Sequence, residues 1–199
     1  AWLIVKTDFP HKQLVHTLAV GAFIIPPYII GLAWVQFFGR NGYFDRFLQS
    51  VFSIENFEFS YYSITAVIVV MTLHLYPLMY LSLRNALQQQ NNNLERAAQL
   101  SGASPWRVFF TITLPLMAPS IFSTALLVFS RTMANFTVPA LLALPARKEY
   151  LTTLIFSSLS ALDIKTAAQF SLLLVLITTA LFWIHALVLR VHTRSASLS

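Results

Sequence analysis

Four long runs of apolar residues dominate the hydrophobic pattern of this chain. They cover residues 14–38, 60–83, 119–144 and 167–189. Each run exceeds the ~20 residues that a helix needs to cross a bilayer at about 1.5 Å per residue. Polar backbone groups within lipid have to be satisfied inside their own segment, which favours helices over separate strands. The pattern therefore predicts an all-α integral membrane protein with about four full transmembrane helices.

The start of the chain and its composition fit this interpretation. Residues 1–5 are typical of the last turn of an apolar helix, so we expect a fragment that begins at the end of a preceding helix. Of the 199 residues, 57% are hydrophobic and only 10% are charged, whereas about a quarter are charged in soluble domains. With no cysteine, a disulfide scaffold and a thiolate metal site are excluded. We expect one transmembrane domain over residues 1–199.

The distribution of charge predicts an orientation. If the first apolar tail ends inside, the inner connections hold seven Lys and Arg residues and the outer connections hold five. Positive residues are more frequent on the cytoplasmic side of membrane proteins. The polar connection over residues 84–118, between the second and third runs, is therefore predicted to face the cytoplasm.

The first half of the 84–118 connection has the signals of a short helix. Asparagines at positions 91–93 can supply N-capping oxygens, and the residues from Leu94 to Leu100 favour a helix. Ala97 and Ala98 are small enough to let another surface approach closely. Gly102 favours the left-handed conformation that ends a helix.

The second half has the signals of another helix. Ser104 and Pro105 are typical of an N-cap and the first helical position. Aromatic residues follow at a spacing that gives one apolar face, and Leu114-Pro115 and Pro119 are expected to limit this helix and redirect the chain. The prediction is a helix-turn-helix beneath the membrane, and the alternative is an amphipathic connector that rests on lipid.

The order of residues in this connection resembles the cytoplasmic signature loop of permease subunits in bacterial binding-protein-dependent ABC importers. The matching residues are Arg96-Ala97-Ala98, Gly102-Ala103-Ser104-Pro105-Trp106 and Ile112-Thr113-Leu114-Pro115. The resemblance covers nearly the whole chain. Several matches outside the 84–118 connection are similar to the iron(III) branch of these permeases. Those matches are Phe136-x-Val138-Pro139, Leu151-Thr152-Thr153 and Asp163-x-x-x-Ala167-Ala168.

The resemblance implies a MetI-like helical bundle in the bacterial inner membrane that acts as the permease of an ATP-driven importer. It implies that the signature loop docks in a groove of a cytoplasmic ABC ATPase dimer, which would carry the ATP and Mg. A solute-binding protein outside, and a second permease half or a homodimer partner, are the other expected partners. Iron(III) is the leading cargo, with thiamine, aminoethylphosphonate, polyamine or an oxyanion as alternatives.

The resemblance also assigns the candidate residues of the loop. One position departs from the signature, because Arg96 stands where the family has a glutamate and Glu95 precedes it. Either Glu95 takes the acidic role, or the ATPase carries a compensating acid, or the contact matters less in this branch. The ATPase-coupling candidates are Glu95, Arg96, Ala97, Ala98, Gly102, Ala103, Pro105, Trp106, Ile112, Leu114 and Pro115.

Polar residues within the apolar runs are candidates for a translocation path. At 100° per residue, Ser120, Thr124, Arg131 and Asn135 fall on one stripe of the third run. An arginine deep in a span avoids lipid, so Arg131 is expected to face a cavity, a substrate path or a structural partner. Asn135 stands where relatives often carry an acid, which weakens a direct cation-binding role.

For several other features of the sequence, a structural and a functional interpretation both remain open. Pro26 and Pro27 must kink or interrupt the first run and are either a hinge or simply accommodated. His74 and His185 lack a second ligand at metal spacing, which favours packing over metal binding. The outer loops at 39–59 and 145–166 could meet a binding protein or lie in the membrane interface.

Enzymatic chemistry is not predicted for this chain. The sequence contains no phosphate-binding Gly-x-x-x-x-Gly-Lys-Ser/Thr motif, no serine elbow and no paired carboxylates of the kind hydrolases use. A membrane enzyme would need at least two convergent ionisable groups at membrane depth, and Arg131 stands alone in the apolar runs. The alternative from a different functional class is a membrane scaffold without transport activity. A scaffold would not need the residue spacing of the signature loop between Ala97 and Pro115.

Overall fold

The computed structural model describes residues 1–7, 10–52, 60–91 and 93–196, without the side chains of His185 and of residues 187–196. Every regular element in these ranges is helical, which confirms the all-α prediction. The α-helices are α1 (Trp2–Lys6), α2 (Lys12–Gly21), α3 (Pro27–Phe38), α4 (Tyr43–Phe52), α5 (Ile64–Gln89), α6 (Asn93–Leu100), α7 (Pro105–Val108), α8 (Leu114–Met133), α9 (Thr137–Leu142), α10 (Leu151–Ser160) and α11 (Ile164–Ala196).

Three helical stretches in the described part of the chain are long and apolar enough to cross a membrane. They are Ile64–Gln89, Pro105–Met133 and Ile164–Ile184. The predicted runs at 60–83 and 167–189 correspond to the first and the last of these. Four full spans were expected, and the difference lies in the first run.

The first run, residues 14–38, is not one helix. Helix α2 ends at Gly21 and α3 begins at Pro27. Pro26 has φ −55° and ψ 141°, an extended conformation, because a residue that precedes proline is pushed out of the helical region. Pro27 then fits the first helical position, where its missing N–H is not needed. The two prolines therefore end one helix and begin another.

The third run starts earlier and ends earlier than predicted. Helix α7 continues through a π-helical turn at Phe109–Thr113 directly into α8, so one helical stretch runs from Pro105 to Met133. The expectation that Leu114-Pro115 and Pro119 end this helix is wrong. In the π-helical turn the N–H of Leu114 bonds to the carbonyl of Phe109. A turn of this kind holds one extra residue, and the chain passes Pro115 within the same helical stretch.

The chain divides into two compact units. The first consists of Ala1–Val20, Pro77–Phe129 and Ala180–Ser199, and the second of Gly21–Tyr76 and Ser130–Thr179. In the second unit, α3 and α9 pack closely at Gly31, where an added Cβ would lie 2.8 Å from Cδ2 of Leu141. Its buried apolar core is formed by Ala66, Val67, Val70, Met71, Leu75, Val138, Leu142, Ala143 and Ala167.

The first unit holds the 84–118 connection together with α1 and α2. Its buried residues include Leu87 of α5, Val108 of α7 and Met117 of α8. Thr113 and Thr124 are buried polar residues of the same helical stretch. Helices with exposed apolar surface are expected for a chain whose solvent is lipid, because lipid contact carries no hydrophobic penalty. This unit positions the candidate site.

Candidate functional site

The turn of the predicted helix-turn-helix has a defined backbone geometry. Helix α6 ends in a Schellman motif, in which the N–H of Ala103 bonds to the carbonyl of Ala98 and the N–H of Gly102 to that of Gln99, each at 3.0 Å. Gly102 has φ +84°, in the left-handed region that side chains other than glycine rarely adopt. The predicted role of Gly102 as the helix terminator agrees with this geometry.

The second helix of the connection begins as the sequence indicated. Ser104 is the N-cap of α7, and its Oγ accepts a long bond of 3.4 Å from the N–H of Arg107. Pro105 occupies the first turn. At the other end of the connection, Oδ1 of Asn91 accepts a 3.0 Å bond from the N–H of Asn93, where α6 begins. The elbow of α6 and α7 is thus fixed by local bonds at both ends.

Glu95 is held inside the first unit by both carboxylate oxygens. Its Oε2 lies 2.7 Å from Nζ of Lys6, and its Oε1 accepts a 2.7 Å hydrogen bond from Oγ1 of Thr113. The side chains of Lys6 and Glu95 are only 10% and 12% exposed. A hydrogen bond that involves a charged group contributes about 1.5–3 kcal/mol. Glu95 therefore ties α1 and the π-helical turn to α6.

Aromatic packing reinforces the same arrangement. The rings of Trp2 and Phe109 meet edge to face with their centroids 5.9 Å apart, a favoured geometry for aromatic pairs. A cavity of about 100 Å³ lies among Trp2, Lys6, Glu95 and Thr113. No local pattern indicated the contact between Lys6 and Glu95, because the two residues lie 89 positions apart along the chain.

The outward surface of the elbow carries apolar side chains and two exposed cations, Arg96 and Arg107. The side chains of Arg96 and Ala97 are exposed, while those of Ala98 and Ala103 are half-buried. Four large apolar side chains of α6, α7 and the π-helical turn are exposed, and we call them, together with Arg96, the elbow face. They are Leu94 (59% exposed), Leu100 (90%), Trp106 (74%) and Phe110 (59%).

The remaining coupling candidates lie in the helical stretch that leads away from the elbow. Ile112 and Leu114 are half-buried, and Pro115 is exposed. Ile112 belongs to the π-helical turn, and Leu114 is the first residue of α8. All eleven candidates from Glu95 to Pro115 therefore lie in one unit, and of these Glu95 faces into it whereas Arg96 does not.

The predicted polar stripe of the third run is divided. Ser120 and Thr124 belong to the first unit, and Arg131 and Asn135 to the second. Thr124 is buried, and its Oγ1 donates to Oγ of Ser82 on α5 and lies 2.8 Å from the carbonyl oxygen of Ser120. The bond between Thr124 and Ser82 therefore joins α8 to α5. Whether they also line a path stays a prediction.

Arg131 and Asn135 differ from the predicted arrangement because α8 ends at Met133. Arg131 is exposed and lies in the last turn of α8, where a cation interacts favourably with unpaired carbonyl groups. Asn135 lies beyond the helix. Its Oδ1 accepts a 3.0 Å bond from the N–H of Val138, and its carbonyl accepts one of 3.1 Å from Oγ1 of Thr152. Its place on a helical stripe is therefore wrong, and its observed contacts join the first turn of α9 to Thr152 of α10.

The other candidate residues have structural surroundings. The break at Pro26 and Pro27 is present, and a hinge role for it stays a prediction. The ring of His74 stacks on Phe23 with centroids 5.8 Å apart, in line with the packing interpretation. The side chain of His185 and the loop residues 53–59 lie outside the described residues. Within the described ranges no group of three His, Cys, Asp or Glu residues is placed to hold a metal ion.

Comparison with known proteins gives a match over almost the entire chain. The family model described as "Binding-protein-dependent transport system inner membrane component" matches residues 8–192. The crystal structure of a bacterial ABC transporter involved in the import of the acidic polysaccharide alginate has a similar fold. Its TM-score is 0.80 over 94% of this chain and 69% of that chain, at 17% identity.

The names of the curated relatives state different transported substrates. The molybdenum transport system permease protein ModB of Escherichia coli (strain K12) is 38% identical over 136 residues, which is 68% of this chain and 58% of that protein. The probable sulfate transport system permease protein cysT of Marchantia polymorpha is 29% identical over 93% of this chain and 64% of its own length. A putative ferric transport system permease protein, FbpB 1 of Haemophilus influenzae, is 26% identical over 80% of this chain and 25% of its own length. The chain thus spans less than two thirds of the length of these relatives.

Proposed function

Because the chain belongs to the family of inner-membrane components of binding-protein-dependent transport systems, we propose that it is the permease of an ATP-driven importer for a tetrahedral oxyanion. The observation that carries the proposal is the elbow face, which is fixed in position by the Schellman motif and by the contacts of Glu95. Several large exposed apolar side chains close together mark a surface that contacts protein or lipid, and membership of this family supports a protein partner there. The partner is a separate cytoplasmic ABC ATPase dimer that binds the ATP and Mg.

Arg96 provides the charge of this contact. Both carboxylate oxygens of Glu95 are engaged within the chain, so the acidic role of the signature passes to the partner, whose groove carries an acid opposite Arg96. The elbow and α8 belong to one continuous chain of packed helices, and packed helices move between discrete arrangements rather than stretch. Closure of the ATPase dimer would therefore move α8 as a body.

The proposed cargo rests on the relatives. The molybdenum and sulfate relatives share more identical residues with this chain than the ferric relative does. Molybdenum in neutral water is the molybdate ion, which has the tetrahedral shape and the double negative charge of sulfate. Molybdate or sulfate is therefore the first candidate. Iron(III), the cargo expected from the sequence, is the second candidate because ferric permeases are also among the relatives.

The remaining parts of the importer follow from the same proposal. The chain lies in the bacterial inner membrane and crosses it several times, with a solute-binding protein on the outer side. A second permease half or a second copy of this chain completes the path. The permease itself performs no hydrolysis, and its polar candidates Ser120, Thr124 and Arg131 are the first positions to test for path effects.

Transport by reconstituted protein tests the proposal. The permease is assembled in proteoliposomes with the ATPase and binding protein encoded beside it, and uptake of radiolabelled molybdate, sulfate and iron(III) is measured with and without ATP. ATP-dependent uptake of an oxyanion is expected. Uptake of iron(III) alone would transfer the assignment to the second candidate. Absence of ATP-dependent uptake of all three, with an ATPase that is active in the complex, would overturn the oxyanion and the iron(III) proposals together.

Charge reversal tests the contact of the elbow face. Arg96→Glu is expected to lower ATP-dependent uptake at least ~10-fold, because a like-charge contact replaces an attractive one in the partner's groove. Lys148→Glu is the matched control, since Lys148 is exposed and lies in the second unit. Equal uptake by both variants would show that Arg96 does not meet the ATPase.

A further inference from the structure

A second cavity in the first unit has a composition that the proposed transport function does not explain. It has a volume of about 410 Å³ and is lined by residues of α1, α2 and the inner part of α5. Its ionisable lining residues are Lys6, Lys12, His16 and Arg84, with the amides of Gln13 and Gln88 beside them. None of the described lining residues is acidic. We call this cavity the basic cleft.

The cations of the basic cleft are not all neutralised within the described chain. Lys6 is paired with Glu95 at 2.7 Å. Arg84 is half-buried, and its Nε is shielded from solvent without a hydrogen-bond partner among the described residues. A buried donor on a charged group is costly when it is left unpaired. An unpaired Nε of Arg84 at a cleft with no acidic residue in its described lining indicates that an anion completes the site.

The other residues present suitable donors around the same space. Lys12 is exposed and lines the cleft beside Gln13 of the same helix. His16 also lines the cleft, and its Nδ1 is bonded to the hydroxyl of Tyr80 at 2.8 Å, which fixes the ring. Arginine binds the oxygens of phosphate-like groups through two parallel N–H bonds, while lysine acts as a point charge.

We propose that the basic cleft binds a tetrahedral oxyanion group, held by Arg84 and Lys12. The group has two possible sources with the same chemistry, which are the phosphate of an anionic phospholipid headgroup and a free oxyanion such as phosphate or sulfate. Positive residues near the end of a span attract anionic lipid headgroups, and the volume of the cleft also accommodates a free ion with its waters. Binding here is independent of the transport proposal and is measured on the permease alone.

Two binding measurements distinguish the sources. Purified permease in nonionic detergent is titrated calorimetrically with sodium sulfate, molybdate and phosphate at low ionic strength, where screening is weak. Native mass spectrometry then measures retention of phosphatidylglycerol against phosphatidylcholine. Saturable binding of a free ion identifies a soluble source, and preferential retention of phosphatidylglycerol identifies a lipid source. Absence of both would overturn the proposal.

Substitutions locate the binding. Arg84→Gln is expected to weaken it at least ~10-fold, as loss of hydrogen bonds to a charged group implies. Lys12→Gln is expected to weaken it several-fold, and because Lys12 is exposed this variant decides the matter if Arg84→Gln does not fold. Lys148→Gln removes the same charge from an exposed position in the second unit and should leave binding unchanged. If Lys12→Gln and every folded Arg84 variant bind the anion as tightly as the parent protein does, the anion binds elsewhere and the proposal is overturned.

Discussion

Gly102 shows how one residue sets the angle of the elbow. No atom lies within 4 Å of the position that its Cβ would occupy, so space does not require glycine. The requirement comes from the backbone, because φ is +84° and the N–H of Gly102 closes the end of α6. A left-handed conformation costs an ordinary L-residue roughly 1–2 kcal/mol, and asparagine tolerates it better than most.

Substitution of Gly102 separates the backbone requirement from the steric one. Gly102→Asn is expected to retain most ATP-dependent uptake, and Gly102→Ala less. Gly102→Pro should abolish uptake while the protein still inserts and the ATPase still hydrolyses ATP, since proline fixes φ near −65° and removes the N–H. Uptake, ATP hydrolysis and the amount of membrane-inserted protein are measured for each variant. Unimpaired uptake by Gly102→Pro would refute the role of this angle in coupling.

Glu95 and Arg96 are neighbours in sequence with opposite environments. Glu95 is bonded to Lys6 and Thr113, whereas the side chain of Arg96 is exposed on the elbow face. Successive residues of a helix point about 100° apart, so one can meet the π-helical turn while the next meets a partner. A shift of the signature by one residue therefore changes which charge is presented outward.

At the scale of elements, the π-helical turn at Phe109–Thr113 connects the elbow to α8. A turn of this type holds one extra residue compared with an α-helix. It places Thr113 against Glu95 and is followed at once by Pro115 within α8. The extra residue thus sets the rotation of α8 relative to the elbow.

A single-residue deletion tests this interpretation of the π-helical turn. Deletion of Thr111, which is exposed and bonded only locally to the carbonyl of Arg107 in its described hydrogen bonds, should convert the turn to α-helix and preserve the facing of residues on both sides. The variant is expected to unfold within a few degrees of the parent in a thermal scan. Deletion of Leu127 in regular α8 is the control, because it rotates the following residues by about 100° and should destabilise strongly. Equal destabilisation by both deletions would contradict the one-residue account.

At the scale of the whole molecule, orientation decides whether the elbow can meet a cytoplasmic ATPase. The excess of Lys and Arg in the inner connections predicts that the 84–118 connection faces the cytoplasm. The structure alone contains no membrane direction. The chain has no cysteine, so a single introduced cysteine reports its side without background.

Cysteine labelling in intact cells tests the orientation. Ser101→Cys and Ser104→Cys lie at exposed positions of the elbow and should react with a membrane-impermeant maleimide only after the cells are opened. Lys148→Cys, predicted on the outer side, should react in intact cells and serves as the control. If the outer reagent reaches Ser101→Cys while the control behaves as expected, the elbow is outside and the importer assignment is lost.

Local sequence signals predicted much of the fold and of the elbow. Long uncharged runs require helices in lipid, and the Gly102, Ser104 and Pro105 signals act within a few residues of their own positions. These features depend on backbone geometry and on solvent, and both can be inferred from residue types alone. The all-α architecture and the two-helix connection follow from them.

Only the tertiary structure decided the features that depend on partners far along the chain. Lys6 and Glu95 are 89 residues apart, and no local pattern indicates their contact. The continuation of helix through Pro115 and the end of α8 before Asn135 were likewise set by packing, which can compensate for a missing hydrogen bond or stop a helix within an apolar run. Sequence determines which residues prefer a helix or lipid, but the three-dimensional contacts determine where each helix ends and which charge remains for a partner.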